Sequence, residues 1–389
     1  MKKIILTLSL VISIAFLNAQ PFFEQQFGNL NPFNGLIIGD YLSPAFVDID
    51  NDGLQDVFFG ESGGNILFYK NTGTTNHPIF EQKTGEANPL DSADAIAYSS
   101  IAFVDIDNDG DFDAFIGSVW AVIQFYENIG DASNPVFARR YGNENPLVHY
   151  EIGWEAKMSF VDIDNDGDFD VFIGDDYGVV RFYLNEGNSV SPVFVEQTEA
   201  LNPLTGIYVG DFVTPAFADI DNDGDFDLLL GEDSGALHYY ENEGTVFVPD
   251  FVPKTGLENP FNGIDLGTES KPAFADVDND GDADLFIGNE DGQMFYFKNM
   301  TIQTALSSFA PEAISIFPNP TNGVIQINTG SMKNVKASIF DTAGNLLLTH
   351  EIGTAESADH LSISHLPAGM HFLVLESKDF IYQLKVVKI

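Results

Sequence analysis

Between Pro215 and Lys254 the chain reads PAFADIDNDGDFDLLLGEDSGALHYYENEGTVFVPDFVPK. Four segments of this stretch are short, rich in aromatic or branched residues, and bounded by Gly, Asp or Asn: PAFADI, DLLLGE, ALHYYEN and FVPDFVP. Each is predicted as a strand. The second and third join through a tight turn in which Gly64, Gly178, Gly235 and Gly292 recur, and a positive φ is expected there. The second unit has Ala121 at that place, so its turn must differ.

The pattern repeats with a period of 57 residues, five times. Phe46, Phe103, Phe160, Phe217 and Phe274 keep the step, as do Gly60, Gly117, Gly174, Gly231 and Gly288. Asn71, Asn128, Asn185, Asn242 and Asn299 keep it too, and Asn-Pro pairs begin at Asn31, Asn88, Asn145, Asn202 and Asn259. Four strands in a period of this length is the blade pattern of a β-propeller. Phe80, Phe137, Phe194 and Phe251 mark the fourth strands, and one step before Phe80 stands Phe23. The segment PFFEQQF is therefore a fourth strand without its first three, and the fifth unit ends at Asn299 without its fourth. Together the two pieces make one blade and close the ring, leaving no open sheet edge. The expected fold is all-β: a five-bladed propeller over residues 20–299. The stripe LFY, QFY, RFY, HYY and FYF in the third strands reads as packing between blades, because a ligand surface has no reason to recur so strictly.

Charge changes the picture. The net charge is −43, and residues 1–300 hold 11 basic against 52 acidic side chains. Such a field repels nucleic acid and anionic membranes, and it opposes compaction unless cations neutralise it. Much of it lies in one nonapeptide, DIDNDGDFD, at Asp105–Asp113, Asp162–Asp170 and Asp219–Asp227, with variants at Asp48–Asp56 and Asp276–Asp284. Aspartates at positions 1, 3, 5 and 9, with Gly at 6, wrap a hard cation in oxygen. An EF-hand needs a Glu at position 12 on a following helix; here Phe59, Ile116, Ile173, Leu230 or Ile287 stands there, inside a predicted strand. Calcium suits this donor set better than magnesium, and no repeated His or Cys offers a zinc site.

These units resemble the FG-GAP/VCBS repeats of extracellular, integrin-α-type propellers, over residues 21–299. The resemblance implies that the nonapeptide lies between first and second strands and holds calcium. The implied ligands are Asp48, Asp50, Asp52, the Leu54 carbonyl and Asp56 in the first unit. In the others they are Asp105, Asp107, Asp109, Asp111 and Asp113; Asp162, Asp164, Asp166, Asp168 and Asp170; Asp219, Asp221, Asp223, Asp225 and Asp227; and Asp276, Asp278, Asp280, Asp282 and Asp284. Up to five structural calcium ions are expected. Activity is not implied, since one such scaffold serves many functions.

The ends of the chain suggest a route. MKKIILTLSLVISIAFLNA, residues 1–19, has two Lys before an apolar run and reads as a secretory signal peptide. Residues 300–313 read as a linker. Residues 314–389 show alternating apolar positions and Gly or Pro turns, predicting about seven strands in a small Ig-like β-sandwich. The motifs FPNPTNG, IFDTAGN, LPAGMHFLVL and KVVKI resemble the type A sorting domain of the type IX secretion system, with His371 where that family usually has Tyr. The resemblance implies contact with the type IX machinery and delivery to the outer surface of a Gram-negative cell or to the medium.

Cysteine is absent, which removes disulfides and thiolate chemistry. His77, His149 and His238 share no repeat position, and no phosphate loop, nucleophile elbow or His-Glu-x-x-His is present. No catalytic residue is expected. Trp120, Trp154 and Tyr177 break the repeat on the face opposite the acidic loops, as candidates for stacking on a sugar or clamping a peptide. A surface adhesion module binding carbohydrate or protein is the expectation; a secreted polysaccharide-active hydrolase or lyase is the alternative.

Overall fold

A computed structural model describes residues 21–93, 95–148, 154–198, 201–264 and 266–300, and in the C-terminal part 314–317, 321, 323–329, 335–340, 346–352, 359–367, 369–376 and 381–388. The signal-peptide segment and residues 301–313 of the expected linker lie outside the described residues. Contacts group Gln20–Thr301 into one compact unit and place Ile302–Ile389 in another.

The first unit begins with β1 (Phe23–Gln26). Blade 1 follows as β2 (Ser43–Val47), β3 (Asp56–Gly60), β4 (Ile66–Asn71) and β5 (Phe80–Lys83). Blade 2 is β6 (Ser100–Val104), β7 (Asp113–Gly117), β8 (Ile123–Asn128) and β9 (Phe137–Arg140). Blade 3 is β10 (Lys157–Val161), β11 (Asp170–Gly174), β12 (Val180–Asn185) and β13 (Phe194–Gln197). Blade 4 is β14 (Thr214–Ala218), β15 (Asp227–Gly231), β16 (Leu237–Asn242) and β17 (Phe251–Lys254). Blade 5 has β18 (Lys271–Ala275), β19 (Asp284–Gly288) and β20 (Met294–Asn299), and β1 pairs antiparallel with β20 as its fourth strand. The innermost strands β2, β6, β10, β14 and β18 contact one another in turn, and β18 returns to β2. The ring is closed.

Two sequence features set the spacing of the blades. A Cβ on Gly60 would lie 2.1 Å from the Ser99 carbonyl oxygen, and its four counterparts meet the next blade's backbone at 2.1–2.2 Å. Only glycine lets the end of a blade's second strand approach the next blade's inner strand so closely. Above this contact, aromatic rings fill the gap between blades: Phe58 stacks on Phe68 at 4.3 Å and meets Phe103 of blade 2 at 4.8 Å. Phe115, Phe125 and Phe160 repeat the arrangement one blade on, and Phe286, Tyr296 and Phe46 carry it across the closure. The Asn-Pro pairs hold the long connections. Asn88 donates its side-chain N–H to the Ile66 carbonyl while its Oδ1 accepts from Leu90 N–H, and Leu90 is buried.

The fourth strands begin later than the sequence suggests. Phe247 and Val248 are exposed in a loop, and β17 starts at Phe251. The cause is Asn242, whose Oδ1 accepts from both Gly244 and Asp250 N–H and closes the loop ahead of the strand. In blade 2 the turn holding Ala121 is a short 3₁₀ turn over Val119–Ala121, with Trp120 at φ 69°.

The second unit contains β21 (Ile314–Phe317), β22 (Val324–Thr329), β23 (Val335–Phe340), β24 (Leu346–Ile352), β25 (Asp359–Ser362), β26 (Gly369–Glu376) and β27 (Ile381–Lys388). Sheets ordered β21-β22-β25 and β24-β23-β26-β27 share a core that includes Ile325, Ile327, Ile339, Leu361 and Leu373. This is the arrangement of a sandwich. His371 is buried there, its Nε2 2.9 Å from the Pro367 carbonyl oxygen.

Candidate metal centres and an aromatic face

Each nonapeptide connects the first two strands of its blade, so all five lie on one face of the ring. Their backbone is fixed by the sequence itself. Position 4 is always Asn, at φ 55–60°, and position 6 always Gly, at φ 86–100°, the two residues that best tolerate left-handed backbone. The position-1 carboxylate accepts two backbone N–H groups: Asp48 takes those of Asp52 at 3.0 Å and Gly53 at 2.9 Å, and each later loop repeats this.

With the loop folded, positions 1, 3 and 5 converge. One oxygen from each of Asp48, Asp50 and Asp52 lies within 4.8 Å of the others, and the same holds for the corresponding triad of every blade. Position 9 sits deeper. Asp56, Asp113, Asp170, Asp227 and Asp284 are buried, and each accepts the backbone N–H of the Asn ending the third strand at 2.7–2.8 Å. The other oxygen is differently served. That of Asp56 or Asp113 has no partner, whereas Tyr239 donates to Asp227 at 3.1 Å and Tyr296 to Asp284 at 2.9 Å. At position 7, assigned from sequence only a backbone carbonyl, the side chains of Asp111, Asp168, Asp225 and Asp282 are buried and each leaves Oδ1 without a partner.

So many carboxylates cannot share a loop as anions without a counter-charge. Burial pushes Asp113 up to about 8 and Asp56 up to about 7. Burial and the neighbouring position-5, -3 and -1 carboxylates push Asp111 and Asp168 up to about 6. Convergent oxygens, unpartnered buried oxygens and carboxyls that resist ionisation fit a hard divalent cation. Positions 1, 3 and 5 supply the convergent side chains that would hold it.

One neighbour was not expected from sequence. Lys70 on β4 bonds Asp50 and lies 3.2 Å from Asp52, and Lys298 on β20 bonds Asp278 and lies 3.1 Å from Asp280. The repeat places Glu127, Leu184 and Glu241 at the same position in the other blades, and that variation is the signal that could have found it.

The opposite face carries the second-to-third-strand turns and the long connections between blades. Trp120 and Trp154 meet there, with ring centroids 4.7 Å apart and rings tilted by 43°, yet they are 62% and 50% exposed. Trp154 donates its backbone N–H to Asp176 in the next blade's turn, and beside Asp176 stands Tyr177, 66% exposed. The structure thus joins the two tryptophans directly and sets Tyr177 on the adjoining turn. Tyr208 extends the row: it is exposed, donates to Asp211 at 2.9 Å, and its ring lies against Gly178. Sequence reasoning passed over Tyr208, although it too breaks the repeat.

The inner strands add a buried charge cluster. Lys157 lies 3.1 Å from Glu155, and Lys271 lies 3.1 Å from Glu269 and donates to the Tyr41 carbonyl at 3.1 Å. All four charged side chains are buried, and Tyr41 packs edge-on against Tyr98 at 4.9 Å.

The FG-GAP-like repeat family matches residues 26–116, 162–230 and 219–287, more than half of the chain. A secretion system C-terminal sorting domain matches residues 315–389. No curated protein matches. Among solved structures, PorZ, a surface component of the type-IX secretion system of Porphyromonas gingivalis, is 17% identical with a TM-score of 0.34, over 95% of this chain and 50% of that one. The chain thus spans half the length of PorZ. A lectin of Agrocybe aegerita that recognises non-reducing terminal N-acetylglucosamine is 15% identical with a TM-score of 0.33, over 67% of this chain and 81% of that one.

Proposed function

The chain belongs to the FG-GAP-like repeat family and carries a sorting domain that directs type IX secretion to the cell surface or outside it, and from that premise we propose a calcium-loaded adhesion module that binds a glycan. Trp120, Trp154 and Tyr177 form the binding face, and the acidic loops hold structural calcium.

The observation that carries the glycan reading is the tryptophan pair. Two indole rings in contact at 4.7 Å, both at least half exposed, leave large apolar faces in water. Trp120 also holds a left-handed backbone, uncommon for a bulky residue, in a turn where the other blades place that conformation on the following glycine. Strain of this kind persists where surrounding structure imposes it, and it clusters at ligand sites. Exposed, rigid aromatic rings beside hydrogen-bonding side chains such as Asp176 and Asp211 suit the alternating apolar and hydroxyl faces of a sugar.

The test is a glycan array probed with the full chain in calcium. Binding that disappears in both Trp120→Ala and Trp154→Ala is the expected result. Binding untouched by either change contradicts the assignment, and turnover of a polysaccharide that survives both would make the protein an enzyme instead.

A further inference from the structure

The five acidic loops share a backbone but not a charge. Loop 1 has four carboxylates, with Leu54 and Gln55 where the other loops have Asp and an aromatic or small residue; loops 2 to 5 have five. The residue that the third strand presents to each loop varies further. It is Lys70 in blade 1 and Lys298 in blade 5, each with its ammonium between the position-3 and position-5 carboxylates. In blades 2 and 4 it is Glu127 and Glu241, each engaged by a base on the fourth strand: Arg140 at 2.7 Å and Lys254 at 3.2 Å. Blade 3 has Leu184. The third strands of blades 2, 3 and 4 therefore bring no lysine to their loops, and each of these loops holds a position-7 aspartate that is more than nine-tenths buried with Oδ1 unpartnered.

We propose that Lys70 and Lys298 stand in for the divalent cation in blades 1 and 5, leaving the loops of blades 2, 3 and 4 as the tight calcium sites. The inference rests on the reading of the loops as calcium sites. A divalent ion entering loop 1 or 5 must first displace an ammonium bound to two of its own ligands, and with that ammonium the loop is less negative than loops 2 to 4 by one charge in blade 5 and by two in blade 1. Blade 5 keeps Asp282 and is the intermediate case; blade 1 has lost that carboxylate as well.

The two lysine-bearing blades are also neighbours, since β18 packs beside β2, and blade 5 is the one completed by β1. The seam where the chain closes on itself thus carries its own counter-charge. It keeps its balance when calcium is scarce, while the three blades opposite depend on the ion.

Calorimetric titration of the full chain with calcium tests this. Three tight sites are expected, with the remaining two roughly tenfold weaker or more. Lys70→Gln with Lys298→Gln should bring the tight count to four by restoring blade 5 and should strengthen blade 1, which still lacks a position-7 carboxylate, and Leu184→Lys should lower the count to two without loss of fold in saturating calcium. Five equivalent sites in the unaltered chain, or a titration unmoved by the paired glutamine change, overturns the proposal while leaving the calcium reading intact. No calcium uptake at all overturns both, so the two failures are told apart.

Discussion

On the face that carries the acidic loops, blade after blade repeats the same nine positions with the same left-handed Asn and Gly, and the exceptions are changes of charge such as Leu54 and Lys70. On the opposite face the turns share a length but not a chemistry: Trp120 and Tyr177 stand where other blades have Gly63, Ser234 and Asp291. The contrast separates two kinds of constraint. A closed ring needs every blade to meet its neighbour in the same way, so structural groups recur. A ligand needs one local surface, so groups that bind it depart from the period. The inner-strand pairs Lys157–Glu155 and Lys271–Glu269 add a second criterion, because they break the repeat yet are buried. Departure from the period and exposure together mark the aromatic face.

The contrast can be broken in four ways, the largest first. Calcium removal should act through the repeated face: a site at tenfold excess over its dissociation constant adds about 1.4 kcal/mol, so three tight loops add about 4 kcal/mol. Chelation then lowers the melting temperature by on the order of 10 °C, and an unchanged melting curve would remove the structural role. Glu269→Gln leaves the buried Lys271 ammonium without its partner at 3.1 Å and should cost about 3 kcal/mol, read by denaturant titration. A neutral outcome would mean that the buried charge cluster is not structural. Trp120→Ala should weaken glycan binding by about 2 kcal/mol while leaving the melting temperature in place, since its ring is mostly in water. Tyr177→Ala should cost about 1 kcal/mol of the same binding; an effect larger than that of Trp120→Ala would move the centre of the site to blade 3.

What could be read from the sequence was what short-range chemistry decides. The loops were legible because their carboxylates, turn glycine and position-4 Asn lie within nine residues and act on one another directly. Closure by β1 was legible because the period carries a missing strand from one end of the repeat to the other. Contacts across strands were not. Lys70 meets Asp50 only once β4 is laid beside β3, and Trp120 meets Trp154 only when the blade 2 turn and the following connection face one another. The start of the fourth strand was misplaced because Phe247 and Val248 look like strand residues, and the polar Asn242 that turns the chain lies before them. In each case the deciding partner is brought up by the fold.

The division of labour between the two faces is tested most directly by measuring glycan affinity and melting temperature side by side on two altered full chains. One carries Trp120→Ala with Trp154→Ala; the other carries Asp109→Asn, Asp166→Asn and Asp223→Asn in the loops of blades 2, 3 and 4. The tryptophan variant should lose binding at an unchanged melting temperature, and the loop variant should melt lower while binding normally below its transition. Loss of binding in the loop variant while it is still folded, with the tryptophan variant binding as before, would contradict the account.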